Sequence, residues 1–181
     1  MSGSRHFSQR IAEGDGISII VHVTDVEAAR RAEEQGAEAL AIAQAIDGIR
    51  KATSLPLLWM GRGKPHDADA CAVRVGEHHG HKHLKHLETV VSVRDADELE
   101  EALEQLDPEI FLLCAEDDDD IDPIDAVLEL LPDVPAGKLA IAQVEVASRD
   151  EVVALERAGM DAVLVPGGHV RELVGHAPVD V

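Results

Sequence analysis

Eight short aliphatic runs recur along this 181-residue chain, each set off from the next by a polar stretch that reads as helix or turn. They are Ile17–Val23, Ala39–Ile42, Leu55–Met60, Ala70–Val75, Thr89–Val93, Ile110–Ala115, Leu139–Val144 and Ala162–Val165. Most are nearly continuous in apolar residues rather than alternating. That is the pattern of strands covered on both faces, and so of a parallel sheet. The stretches between them carry helix ends. Thr24 with Glu27 reads as a capping box for a helix that Gly36 closes. Asp95 with Glu98 opens another, whose Leu99, Ala102, Leu103 and Leu106 fall on one face. Asp122 before Pro123 opens a third, and Ser148 with Glu151 a fourth that ends at Gly159.

Strand and helix therefore alternate, and right-handed crossovers make the sheet parallel. Eight strands point to a closed (β/α)8 barrel, with a doubly wound open sheet as the alternative. Such barrels usually need about 250 residues, so this one must economise. The saving is visible after strand 3, where GRGKPHDAD (Gly61–Asp69) is too short for a packed helix, and after strand 4, where Gly76–Glu88 leaves room for only a shortened one. The expected fold is thus a minimal TIM barrel lacking the helix between strands 3 and 4. An apolar wall left uncovered there would favour a homodimer through it.

Residues 1–16 are polar and are expected to be a flexible N-terminus, with the barrel over 17–176 and a tail at 177–181. Neither a charged-then-apolar leader nor an apolar run near 20 residues occurs, which reads as a cytoplasmic protein away from membranes. The 36 acidic residues against 16 Lys and Arg give a net charge of −20, which argues against nucleic-acid partners. Cys71 and Cys114 lie in apolar runs without a CxxC partner and read as reduced core residues.

Three stretches resemble indole-3-glycerol phosphate synthase, a TIM-barrel lyase. TVVSVRDADELEEALE (Thr89–Glu104) is similar to that family's fifth strand and helix. LAIAQVEVASRDEVVALERAGMDAVLV (Leu139–Val165) is similar to its seventh strand and helix and its eighth strand. SLPLLWMGR (Ser54–Arg62) stands in the place of its third strand. The resemblance runs from about Ile17 to Arg171 and implies the barrel, but it does not carry over the family's chemistry. The strand-1 lysine of the family stands here as His22, with Ile20 for the neighbouring glutamate, and the strand-3 lysine as Met60. Ser92, Cys114 and Gln143 replace the strand-5 glutamate, the strand-6 asparagine and the strand-7 glutamate. Glu145 takes the place of the glycine that admits phosphate after strand 7. The resemblance therefore implies a catalytically divergent member rather than an active synthase.

The C-terminal ends of the strands should gather His22, Asp25, Arg74, Ser92, Arg94, Cys114, Glu116, Gln143, Glu145 and His169. His22 with Glu145 is a candidate acid–base pair, with Gln143, Ser92 and Cys114 beside it; the same residues could instead form a hydrogen-bonded plug. Gly167 and Gly168, with Arg94, are candidates for anion binding through backbone N–H groups, or else a tight turn. His78, His79, His81, His83 and His86, with Glu116 and Asp117, have the ligand types for Zn²⁺, Ni²⁺ or Cu²⁺, or else form solvated surface. No GxSxG, P-loop, HExxH or GxGxxG motif occurs. Three classes of function remain open: small-molecule binding or an altered lyase-type activity at the barrel mouth, a metal-binding or metal-sensing module, and a non-catalytic oligomeric scaffold.

Overall fold

A computed structural model describes residues 6–77, 86–115 and 120–174. The eight apolar runs become eight strands: β1 Ser18–His22, β2 Ala39–Ile42, β3 Leu57–Trp59, β4 Ala70–Arg74, β5 Glu88–Val93, β6 Ile110–Cys114, β7 Leu139–Gln143 and β8 Ala162–Pro166. They pair in chain order and in parallel, and the ladder from Ser18 opposite Ala162 to His22 opposite Pro166 joins β8 to β1. That ladder closes the barrel and excludes an open sheet.

Alternation within each strand divides the core in two. Ile20, Ala41, Leu58, Val90, Leu112, Ile141 and Leu164 fill the barrel interior. Val21, Leu40, Trp59, Val91, Phe111 and Val163 pack in the outer shell against the helices. Alanines at 39, 41, 70 and 162, all fully buried, keep the interior of this small barrel from overfilling.

The helices are α1 His6–Ala12, α2 Val26–Glu34, α3 Ile49–Ala52, α4 Ala96–Gln105, α5 Pro123–Leu130, α6 Arg149–Ala158 and α7 Val170–Val174. Three of the expected caps are in place. Asp95 accepts from the Glu98 N–H, Asp122 from the Ile124 N–H, and Ser148 from the Glu151 N–H. The cap of α2 lies one residue beyond Thr24. Asp25 is in extended backbone and its carboxylate accepts the Ala28 N–H at 2.7 Å. A carboxylate is favoured over a hydroxyl there because it also faces the positive end of the helix dipole.

The N-terminus departs from expectation. Residues 6–12, within the stretch expected to be flexible, form α1, which enters the N-terminal end of the barrel. Phe7 and Ile11, one turn apart, are 0% and 2% exposed and join the interior cluster. The Glu88 carboxylate at the start of β5 accepts the Phe7 N–H at 2.9 Å and the Ser8 N–H at 3.2 Å, satisfying donors that a helix start leaves open. Ser18 bridges to Glu38 and to the Ile11 carbonyl on the same floor.

No helix lies between β3 and β4, as the nine-residue segment requires. The side chains of the wall beside it are nonetheless buried within the chain. Leu57, Trp59, Cys71 and Val73 are each at most 5% exposed. The His66 ring from the connecting loop stands edge-on to Trp59, with centroids 6.2 Å apart. The only large hydrophobic side chain strongly exposed among the described residues is Ile121. The shortened β4–β5 connection falls mostly outside the described residues. No helix among the described residues is long and apolar enough to cross a membrane.

Candidate functional site at the barrel mouth

A strand that buries alternate residues inside a barrel brings the last of them to the C-terminal rim. His22, Met60, Ser92, Cys114 and Gln143 reach the rim in this way, from β1, the end of β3, β5, β6 and β7. Three of them are joined. The Cys114 thiol donates to Gln143 Oε1 at 3.3 Å, and its Sγ lies 3.3 Å from Ser92 Oγ. Burial pushes the Cys114 thiol above its ordinary pKa, and the Ser92 hydrogen bond and nearby Arg74 only partly offset this. At neutral pH the sulfur is therefore a protonated hydrogen-bonding group and not a poised nucleophile.

This layer floors a cleft of about 700 Å³ lined also by Gly61, Arg62, Ala72, Arg74, Glu77 and Arg94. Three guanidinium groups thus surround an uncharged floor. Arg62, Arg74 and Arg94 stand at or just beyond the ends of β3, β4 and β5. Arg94 is held to Glu98 by a 2.6 Å ion pair, and Glu98 also accepts the Arg94 backbone N–H at 2.8 Å. These contacts hold the Glu98 carboxyl below its ordinary pKa. Arg62 and Arg74 form no ion pair among the described residues and are exposed to the cleft.

A second cleft of about 460 Å³ adjoins the first, because Met60 and Gln143 line both. Its other walls are His22, Ala43, Val144, Glu145, Leu164 and Pro166. His22 and Glu145 thus share a cleft, but no hydrogen bond or ion pair joins them. The acid–base pair expected from sequence is brought into one neighbourhood without being assembled.

The expected anion site is not assembled either. Gly167 and Gly168 follow β8 and line neither cleft, whereas Arg94 follows β5 on the other side of the mouth. Gly168 has φ +138°, a conformation that L side chains rarely adopt, so this glycine serves the turn itself. Asp25 is spent as a helix cap, and His169 is exposed, 3.8 Å from Glu172.

Of the candidate metal ligands, His78, His79, His81, His83, Glu116 and Asp117 lie outside the described residues, and His86 is exposed. Among the described residues no group of three His, Cys, Asp or Glu side chains is placed to hold a metal ion.

Arg62 was not among the expected rim residues. Its signal was available, since it stands two residues beyond Met60 and so repeats the same face of a strand continued past its end.

No family model and no curated protein sequence matches this chain. Among solved structures, the chain is similar to N-acetylmannosamine-6-phosphate 2-epimerase from Clostridium perfringens, at TM-score 0.66 and 14% identity over 82% of this chain and 86% of that one. A likeness at this identity supports the TIM-barrel fold. It does not single out the indole-3-glycerol phosphate synthase family.

Proposed function

We propose that this protein is a small-molecule-binding barrel that holds an anionic metabolite at its C-terminal mouth, built on the plan of indole-3-glycerol phosphate synthase but without its chemistry. The observation that carries the reading is the set of three arginines, against the one lining carboxylate of Glu77, over an uncharged floor in a chain whose net charge is −20. A cleft of locally positive sign within a strongly acidic surface focuses small anions. Guanidinium groups bind phosphate and carboxylate through paired, charge-assisted hydrogen bonds. The solved neighbour is named for a phosphorylated substrate, which agrees with the ligand class and goes no further.

Binding without the synthase reaction follows from what the floor offers. Met60 and the Gln143 amide exchange no protons, and Cys114 keeps its own. Among the described residues no carboxylate is hydrogen-bonded to His22 to fix its tautomer.

Isothermal titration with inorganic phosphate and a set of sugar monophosphates tests the reading, alongside an assay for indole formation from the synthase substrate. Arg74→Ala removes one charge-assisted contact, worth about 1.5–3 kcal/mol, and should weaken binding by tenfold or more. Equal binding by wild type and Arg74→Ala would overturn the anion site. Turnover of the synthase substrate would overturn the loss of chemistry.

A further inference from the structure

The two clefts form one trough with unlike ends. Met60 and Gln143 line both, so a ligand longer than a bare phosphate can reach from one into the other. At the β3–β5 end the trough presents Arg62, Arg74 and Arg94 against a single lining carboxylate, Glu77. At the other end the only carboxylate in the lining is Glu145, exposed just after β7, beside His22 and the apolar Val144, Leu164 and Pro166.

From this polarity we infer that the ligand carries an anion at one end only, and that Glu145 is the residue that enforces it. The inference rests on the anion-binding reading above. An anion held by the arginines leaves the rest of the molecule over Cys114, Gln143 and Met60. Its far end then reaches Glu145. A hydroxyl or amine there donates to the Glu145 carboxylate or to the Gln143 amide oxygen, while the carbon skeleton packs on Leu164 and Pro166. A second phosphate in the same place meets like charge, with no cationic side chain among the residues lining that cleft to offset it. Discrimination of this kind works by rejection rather than by added attraction. The ligand class is a singly phosphorylated or singly carboxylated polyhydroxy or amino compound of about sugar length, and compounds with an anion at each end are excluded.

Fructose 6-phosphate and fructose 1,6-bisphosphate are a matched pair of probes, since they differ by one phosphate at the far end. Titrations of the full chain, followed by ¹H–¹⁵N NMR at the arginine Nε–H and Gln143 amide resonances, report weak binding directly. The expected result is at least tenfold weaker binding of the bisphosphate by wild type, with the gap closing in Glu145→Gln. Glu145 is exposed, so the variant keeps the fold. Bisphosphate binding as tight as, or tighter than, that of the monophosphate in wild type would overturn the inference while leaving the anion site standing. The same holds for a gap unchanged in Glu145→Gln. If neither compound moves the arginine resonances, or if Arg74→Ala leaves both titrations unaltered, the anion-binding reading itself falls.

Discussion

Truncating Phe7 to alanine tests whether α1 is a plug or an appendage. The Phe7 ring is fully buried among the interior side chains at the N-terminal end of the barrel. Phe→Ala changes at such sites cost about 3–5 kcal/mol, from lost transfer energy and the void left behind. A domain of this size has about 5–15 kcal/mol in all, so the loss should be a large share of the total. At about 2–4 °C per kcal/mol the midpoint should fall by about 6–20 °C. Urea melts followed by circular dichroism at 222 nm, with a fixed m value, measure the change. Glu88→Gln is the companion variant. It keeps an acceptor for the Phe7 and Ser8 N–H groups but removes the charge, and should cost less, about 1–2 kcal/mol. A Phe7→Ala loss below about 1 kcal/mol would refute the reasoning, because the barrel end would then be stable without its filling.

Two further outcomes are expected. Gly61→Ala should destabilise by about 1–3 kcal/mol or more, since its Cβ would lie 2.1 Å from the Ala43 carbonyl oxygen and 2.9 Å from Trp59 Cζ2. Thermal melts read the loss, and the emission of Trp59, the sole tryptophan, reads the local shift; unchanged melts would mean that the loop relaxes freely. Burial raises the Asp161 pKa although its carboxylate accepts the Ala140 N–H at 2.8 Å. The folded state therefore holds this proton more tightly than the unfolded state, and stability is lost as pH rises from the unfolded value through the folded one. Asp161→Asn should remove that loss, so the stability of wild type relative to the variant should decline as pH rises through the acid range. A difference independent of pH would contradict the assignment.

The strands were legible because their apolar runs are almost continuous, as parallel strands buried on both faces require. Helices α4, α5 and α6 were legible through caps written in adjacent residues, Asp95, Asp122 and Ser148. Helix α1 was not, because only Phe7 and Ile11 mark its buried face and the acid that tethers it, Glu88, stands about 80 residues away. The covered wall was hidden for a similar reason. The GRGKPHDAD segment has no helical pattern, and its His66 covers Trp59 through a contact that no periodicity announces. At the mouth, residues on the last inward turn of each strand could be counted off by twos, which placed His22, Ser92, Cys114 and Gln143. Their mutual bonding could not be read that way. Whether a thiol meets a hydroxyl depends on the stagger between β5 and β6, and stagger leaves no mark in either strand alone.

Closure of β8 on β1 also has a bearing on how the chain is made. A ribosome delivers β1 first and β8 last, so the partner of Ser18–His22 emerges about 140 residues after it. Until then every nascent intermediate carries two unpaired strand edges, one on β1 and one on the newest strand, each able to template pairing with another chain. In a barrel the final strand is what turns an open, sticky sheet into a closed one. Truncations that remove β8 should therefore appear as aggregation during expression, not as a modest loss of stability in a soluble product.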